Sequence, residues 1–205
     1  MGWKLGSHDT MTYLRPSKWY LSPFKFMAQC QSKSIEEQYE KYGVRYFDLR
    51  VYYNEKDEIE FRHGSMSFKG DVEKVLEYLN NKGEEVWVRY LLEGNEASFK
   101  IRYLFNKDKI ARVKEHQIEL FKRDCEKFEN KYTNLKFHNG RTKWDWKVVY
   151  KFKNAEPSID QKISSMTWKI WDDWCPYIYA RLMNKKNYAQ GTDCEYLLLD
   201  FLHIH

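Results

Sequence analysis

Hydrophobic and polar positions alternate with period two through VRYFDLRVYY at 44–53, so Val44, Tyr46, Asp48 and Arg50 share one face and Phe47, Leu49 and Val51 the other. That pattern predicts a strand with one apolar face and one face carrying charge. Short runs rich in β-branched and aromatic residues at 58–63, 85–92, 135–138, 146–152 and 195–202 predict further strands, and Trp3, Lys4 and Leu5 predict an opening one. The period changes at 71–82, where Val72, Val75, Leu76 and Leu79 form an i, i+3, i+4, i+7 helical stripe stopped by Gly83. A lysine-rich segment at 95–130 places Ile118, Phe121, Cys125 and Phe128 on one face and predicts a second helical region.

Strands separated by helices predict an α/β fold with a parallel sheet covered on both faces, and closing the sheet removes both of its edges. The expected architecture is a compact, distorted or incomplete TIM-type (β/α) barrel, because 205 residues lie near the lower size limit of the complete one. A doubly wound open sheet is the alternative. No repeat, linker or low-complexity stretch divides the chain, so one domain spans 1–205. In such barrels chemistry gathers at the C-terminal strand ends.

Composition narrows the function classes. Lys and Arg number 35 against 30 Asp and Glu, and the basic residues are spread along the chain instead of forming the block expected of a nucleic-acid binder. The chain has no apolar run of membrane-spanning length and no signal-peptide core, so the expectation is a soluble protein, cytoplasmic or delivered by another route. Its four cysteines are scattered without metal-ligand spacing, which indicates neither a disulfide framework nor a structural metal. No cofactor is expected, since neither GxxxxGK[ST] nor GxGxxG occurs.

Three predicted strand ends carry polar residues that a structural strand would not select. Gly6-Ser7-His8-Asp9-Thr10 follows the first, Asp48 and Arg50 lie on the inward face of the second, and His63-Gly64 ends EIEFRHG. Each has an ordinary explanation alone, as a turn, a buried ion pair or a loop histidine. Together they bring two imidazoles, two carboxylates and a guanidinium to one mouth, and a structural role for all five at once becomes the weaker reading.

GSHDT, then CQSKSIEEQYEKYGVRYFDLRV, then FRHG resembles, in order and spacing, the X region of phosphatidylinositol-specific phospholipase C, in particular its metal-independent bacterial branch. The resemblance covers about 5–93, and Gln31, Gln38, Gly43, Arg45 and Phe47-Asp48-Leu49-Arg50 are its most specific part. It implies that His8 is the general base, His63 the general acid, Asp9 the carboxylate coupled to that acid, Asp200 the orienting partner of the base, and Arg50 the fixed charge where other branches hold calcium. It further implies an inositol phospholipid substrate. Asp48, Arg89, Lys151, Asp172 and Trp174 are the implied substrate contacts, although Leu91 replaces a basic contact on strand four and IWDDWC also reads as a capped helix start.

YLRPSKWYLSPFKF interleaves Trp19, Tyr20 and Phe24 with cations in the connection after strand one. These rings either form a rim for peripheral membrane contact or pack beneath the barrel mouth. Two rivals remain in view: a metal-dependent glycerophosphodiester enzyme on the same barrel, and a non-catalytic binding or structural protein that retains the fold.

Overall fold

The computed structural model describes residues 2–94, 100–139, 148–164 and 175–204. The strands are β1 (Lys4–Ser7), β2 (Tyr46–Tyr53), β3 (Ile59–His63), β4 (Met66–Phe68), β5 (Val86–Leu92), β6 (Leu135–His138), β7 (Ile159–Lys162) and β8 (Tyr196–Leu199). Six of them run parallel in the order β6-β5-β2-β1-β8-β7. Among the described residues no pairing joins β6 to β7, so the sheet is a curled half-barrel with two edges.

The β3–β4 hairpin departs from the parallel scheme. β1 pairs with β2 only through Gly6↔Tyr46 and Ser7↔Phe47, and β3 takes over that side of β2 from Val51↔Phe61 onward, antiparallel. In the gap between them the Asp48 amide donates to Thr10 Oγ1 at 3.0 Å. The turn that carries His8 is thereby tied to the strand that carries Asp48 and Arg50.

Helices α1 (Ile35–Glu40), α2 (Val72–Asn80), α3 (Lys107–Lys131) and α4 (Pro176–Gln190) accompany the sheet. Ser34 and Glu37 form a capping box on α1, satisfying backbone donors that would otherwise be orphaned. The outward faces of β2 and β5 (Phe47, Leu49, Val51, Val88, Tyr90, Leu92) share the main core with Val75, Leu76 and Leu79 of α2 and Phe121, Cys125 and Phe128 of α3. Each such buried side chain contributes ~1.5–3 kcal/mol, which makes this layer the main source of stability.

The inward face is different. Tyr46, Trp87, Tyr196 and Leu198 plug its lower end, and Gly6 has no room for a side chain, since a Cβ there would lie 2.5 Å from Leu198 Cδ1. Above the plug the inward residues are polar.

Several expectations need correction. Residues 148–152, predicted within a strand at 146–152, are irregular, and 146 and 147 lie outside the described residues. Their alternation serves another purpose: Phe152 stacks on Phe137 at 5.5 Å and the Tyr150 hydroxyl donates to Glu129 of α3, so the segment covers the outer core. Within the helical region predicted over 95–130, residues 100–102 are helical and the long helix begins at Lys107, after Leu104 and Phe105 adopt left-handed φ of 48° and 60°. Residues 95–99 lie outside the described set.

Candidate active site

The polar end of the half-barrel is built by residues of β2, β3 and β5 together with the chain segments leaving β1, β5 and β8. His8 follows β1 directly, and its Nδ1 lies 2.7 Å from Asp200 Oδ1, just past β8. Arg50 donates through Nη2 to His8 Nε2 at 2.7 Å. The imidazole proton therefore belongs on Nδ1, shared with Asp200, and Nε2 presents a lone pair toward the mouth.

His63, at the end of β3, faces His8 with ring centroids 6.1 Å apart. Its Nδ1 is 2.8 Å from the Ala28 carbonyl, a contact that requires hydrogen on that nitrogen and leaves Nε2 turned inward. Asp9 lies between the two rings: its Oδ2 is 3.4 Å from His8 Nε2 and 3.4 Å from His63 Nε2. This oxygen is buried and has no hydrogen-bond partner, while Oδ1 faces Arg50 Nε at 3.2 Å.

The guanidiniums are held by a carboxylate network. Arg89 grips Asp48 in a bidentate pair at 2.8 and 2.8 Å, and Arg50 reaches Asp48 at 3.0 Å and Glu93 at 2.9 Å. Burial alone would raise the Asp48 carboxyl, but Arg50 and Arg89 overcome it and hold the group well below the ordinary range. Burial likewise opposes the Arg50 charge, and Asp48, Asp9 and Glu93 more than restore it. Asp9 differs: burial raises its pKa despite Arg50 and the two histidines.

The turns that carry His8 and Asp200 are both strained and braced. Asp9, after His8, and Phe201, after Asp200, take left-handed φ of 42° and 44°, a costly region for residues with a Cβ. Gln31 ties the two turns together, its Nε2 donating to the carbonyls of His8 and Leu199. Gln38 receives the Ser7 hydroxyl and donates to Thr10 O, and Asn184 of α4 donates to Asp200 O. The Phe201 amide donates to Cys30 O at 2.6 Å.

The structure thus brings together His8, Asp9, Asp48, Arg50, His63, Arg89 and Asp200. Lys151 stays apart, exposed in the segment that Tyr150 and Phe152 anchor to the outer core. Asp172 and Trp174 lie outside the described residues. His138, which the HNG context suggests is solvated, is buried inside the half-barrel, 2.7 Å from Tyr46 Oη; burial and Arg89 push its pKa down to about 4. Glu93 and Cys30 were not foreseen. Continuing the inward series Arg89, Leu91 one step would have reached Glu93, whose Oε1 accepts from the Gly64 amide at 2.6 Å.

No protein-family model and no curated protein matches the chain. Solved structures do: a single-substitution mutant of the phosphatidylinositol-specific phospholipase C of Staphylococcus aureus superposes with a TM-score of 0.52 at 14% identity, over 97% of this chain and 84% of that one. The fold is that of a phosphatidylinositol-specific phospholipase C. A double mutant of the same enzyme gives 0.51 at 14% identity over the same shares, and a pentafluoro-Phe variant 0.50 at 13% over 97% and 85%.

Proposed function

We propose that the chain is a phosphodiesterase of the phosphatidylinositol-specific phospholipase C type, acting on an inositol phospholipid without a catalytic metal. The observation that carries this reading is the pair of facing imidazoles, one polarised by Asp200 and Arg50, the other donating to Ala28 O, with Asp9 between them.

On this reading His8 Nε2 takes the proton of the inositol 2-hydroxyl, and that oxygen attacks phosphorus. His63 Nε2 gives a proton to the departing glycerol oxygen as its bond to phosphorus breaks, so diacylglycerol leaves and a cyclic inositol phosphate remains. Asp200 compensates the positive charge that His8 acquires. Arg50, released from His8 when substrate enters, offers its fork to the non-bridging phosphate oxygens, where a fixed charge in a desolvated pocket stabilises the transition state strongly. The carboxylate pairs with Asp48 and Glu93 hold that fork in place. Arg89, Asp172 and Trp174 remain candidate contacts to the head group.

Substitution of the acid provides the test. His63→Ala should lose ~10²–10⁴-fold with phosphatidylinositol and recover most of that with an inositol phosphodiester bearing an acidic phenol leaving group, whereas His8→Ala should recover little. Equal rescue of the two variants would contradict the assignment of roles.

A further inference from the structure

One buried nucleophilic group is left unused by this chemistry. Cys30 is fully buried in the connection before α1, and its thiol lies beside the His63 ring, with Sγ 3.7 Å from Nδ1. The donor atoms of Asp9, Cys30 and His63 all lie within 4.8 Å of one another. We propose that these three side chains form a site for a soft divalent cation of the zinc class, and that its occupation blocks the enzyme by engaging His63.

Three observations support the site independently of the cysteine. Asp9 Oδ2 is buried, lacks a hydrogen-bond partner and points at His63 Nε2 from 3.4 Å. That distance matches the edge of a tetrahedron with metal–N and metal–O bonds of ~2.1 Å, which is about 3.4 Å. The Ala28 carbonyl holds the other ring nitrogen, the outer arrangement that zinc-binding histidines normally have.

Electrostatics favours a cation as well. Asp9, Asp48, Glu93 and Asp200 outnumber Arg50 and Arg89 in one connected buried network, so added positive charge there is compensated. Of the three side chains His63 is the one that solvent reaches, at 17% exposed against 2% for Asp9. The neighbouring set His8, Cys30 and Asp200 fits less well: His8 and Asp200 are already closed on each other at 2.7 Å, and Asp200 Oδ2 accepts from the Ser164 amide.

The inhibitory part of the inference rests on His63 acting as the acid; the binding part does not. The folded protein is titrated with cadmium, whose thiolate charge-transfer band reports on Cys30, and with zinc by calorimetry. One equivalent should bind. Cys30→Ser should abolish the band, and His63→Gln should weaken zinc affinity by ~100-fold or more, the upper loss seen when only an outer partner is removed. Asp200→Asn should leave the band, and circular dichroism checks that each variant is folded. Zinc should also suppress turnover, reversibly with EDTA. No saturable binding, or a band that survives His63→Gln with undiminished affinity, would overturn the site. Binding without loss of turnover would overturn the inhibition alone, while absence of turnover in metal-free protein would count against the phosphodiesterase reading and leave the site standing.

Discussion

At the residue scale the site is organised around Asp9, and its two sides behave oppositely. Oδ1 meets Arg50, whereas Oδ2 is desolvated and unpaired, and burial raises the carboxyl pKa. A folded-state value above the unfolded one means that the ionised group costs stability. That cost is absent below the ordinary aspartate value near ~3.9 and grows as pH rises from there through the raised folded value. Asp9→Asn removes the charge and keeps a residue that tolerates the left-handed backbone. It should raise Tm at pH 7 by about 2–4 °C, the equivalent of ~1 kcal/mol at this chain length, and lower activity by ~10²-fold or more. Thermal melts between pH 3 and pH 8 check the sign: the advantage of the variant should open with rising pH, and a constant or reversed gap would contradict it. The group is kept, on this view, for catalysis at the expense of stability.

At the element scale, the 3-10 helix Trp19–Met27 is the part whose sequence admitted two readings. It buries no residue, and Trp19, Tyr20, Phe24 and Phe26 are 84%, 52%, 55% and 51% exposed. Rings that held the rim by packing would be covered. With the exposed Lys18 beside them, this element suits the headgroup level of an anionic bilayer. Replacing Trp19 and Phe24 together by Ala should weaken binding to phosphatidylinositol vesicles by ~10–100-fold. Thermal stability should change by no more than ~0.5 kcal/mol, and cleavage of a short soluble substrate should persist. A joint fall in stability and soluble-substrate activity would assign the rings to packing.

Other elements show how far periodicity can be read. The strand over 135–138 and the inward face of β2 were legible because their alternation is used for a sheet with one apolar and one polar side. The run at 146–152 alternates just as clearly, but Tyr150 and Phe152 use that spacing to cover Phe137 from a coil, a tertiary choice no local pattern encodes. β7 was missed for the opposite reason. Its IDQK sequence lies at an edge of the half-barrel and is barely buried, so it has no apolar signature to find. β4 is three residues long, below the reach of a period-two reading. The catalytic candidates were easier, since His8 and His63 fall at or beside the ends of predicted strands and Asp48 and Arg50 on the inward face of another.

At the scale of the whole molecule, a half-barrel with apolar outer layers and a charged mouth concentrates opposed charges where water is scarce. There Arg50 is fixed by Asp48, Asp9 and Glu93 and can serve as the positive charge that a metal would otherwise provide. Among the described residues no helix is long and apolar enough to cross a membrane. The central claim is metal-independent cleavage by internal attack, and phosphorus NMR of phosphatidylinositol vesicles incubated with the protein in excess EDTA tests it most directly. The account predicts that the phosphodiester resonance of the lipid gives way to that of a five-membered cyclic inositol phosphate, at a rate unchanged by the chelator. No turnover, turnover that requires added calcium, or an acyclic phosphomonoester as the first product would contradict it.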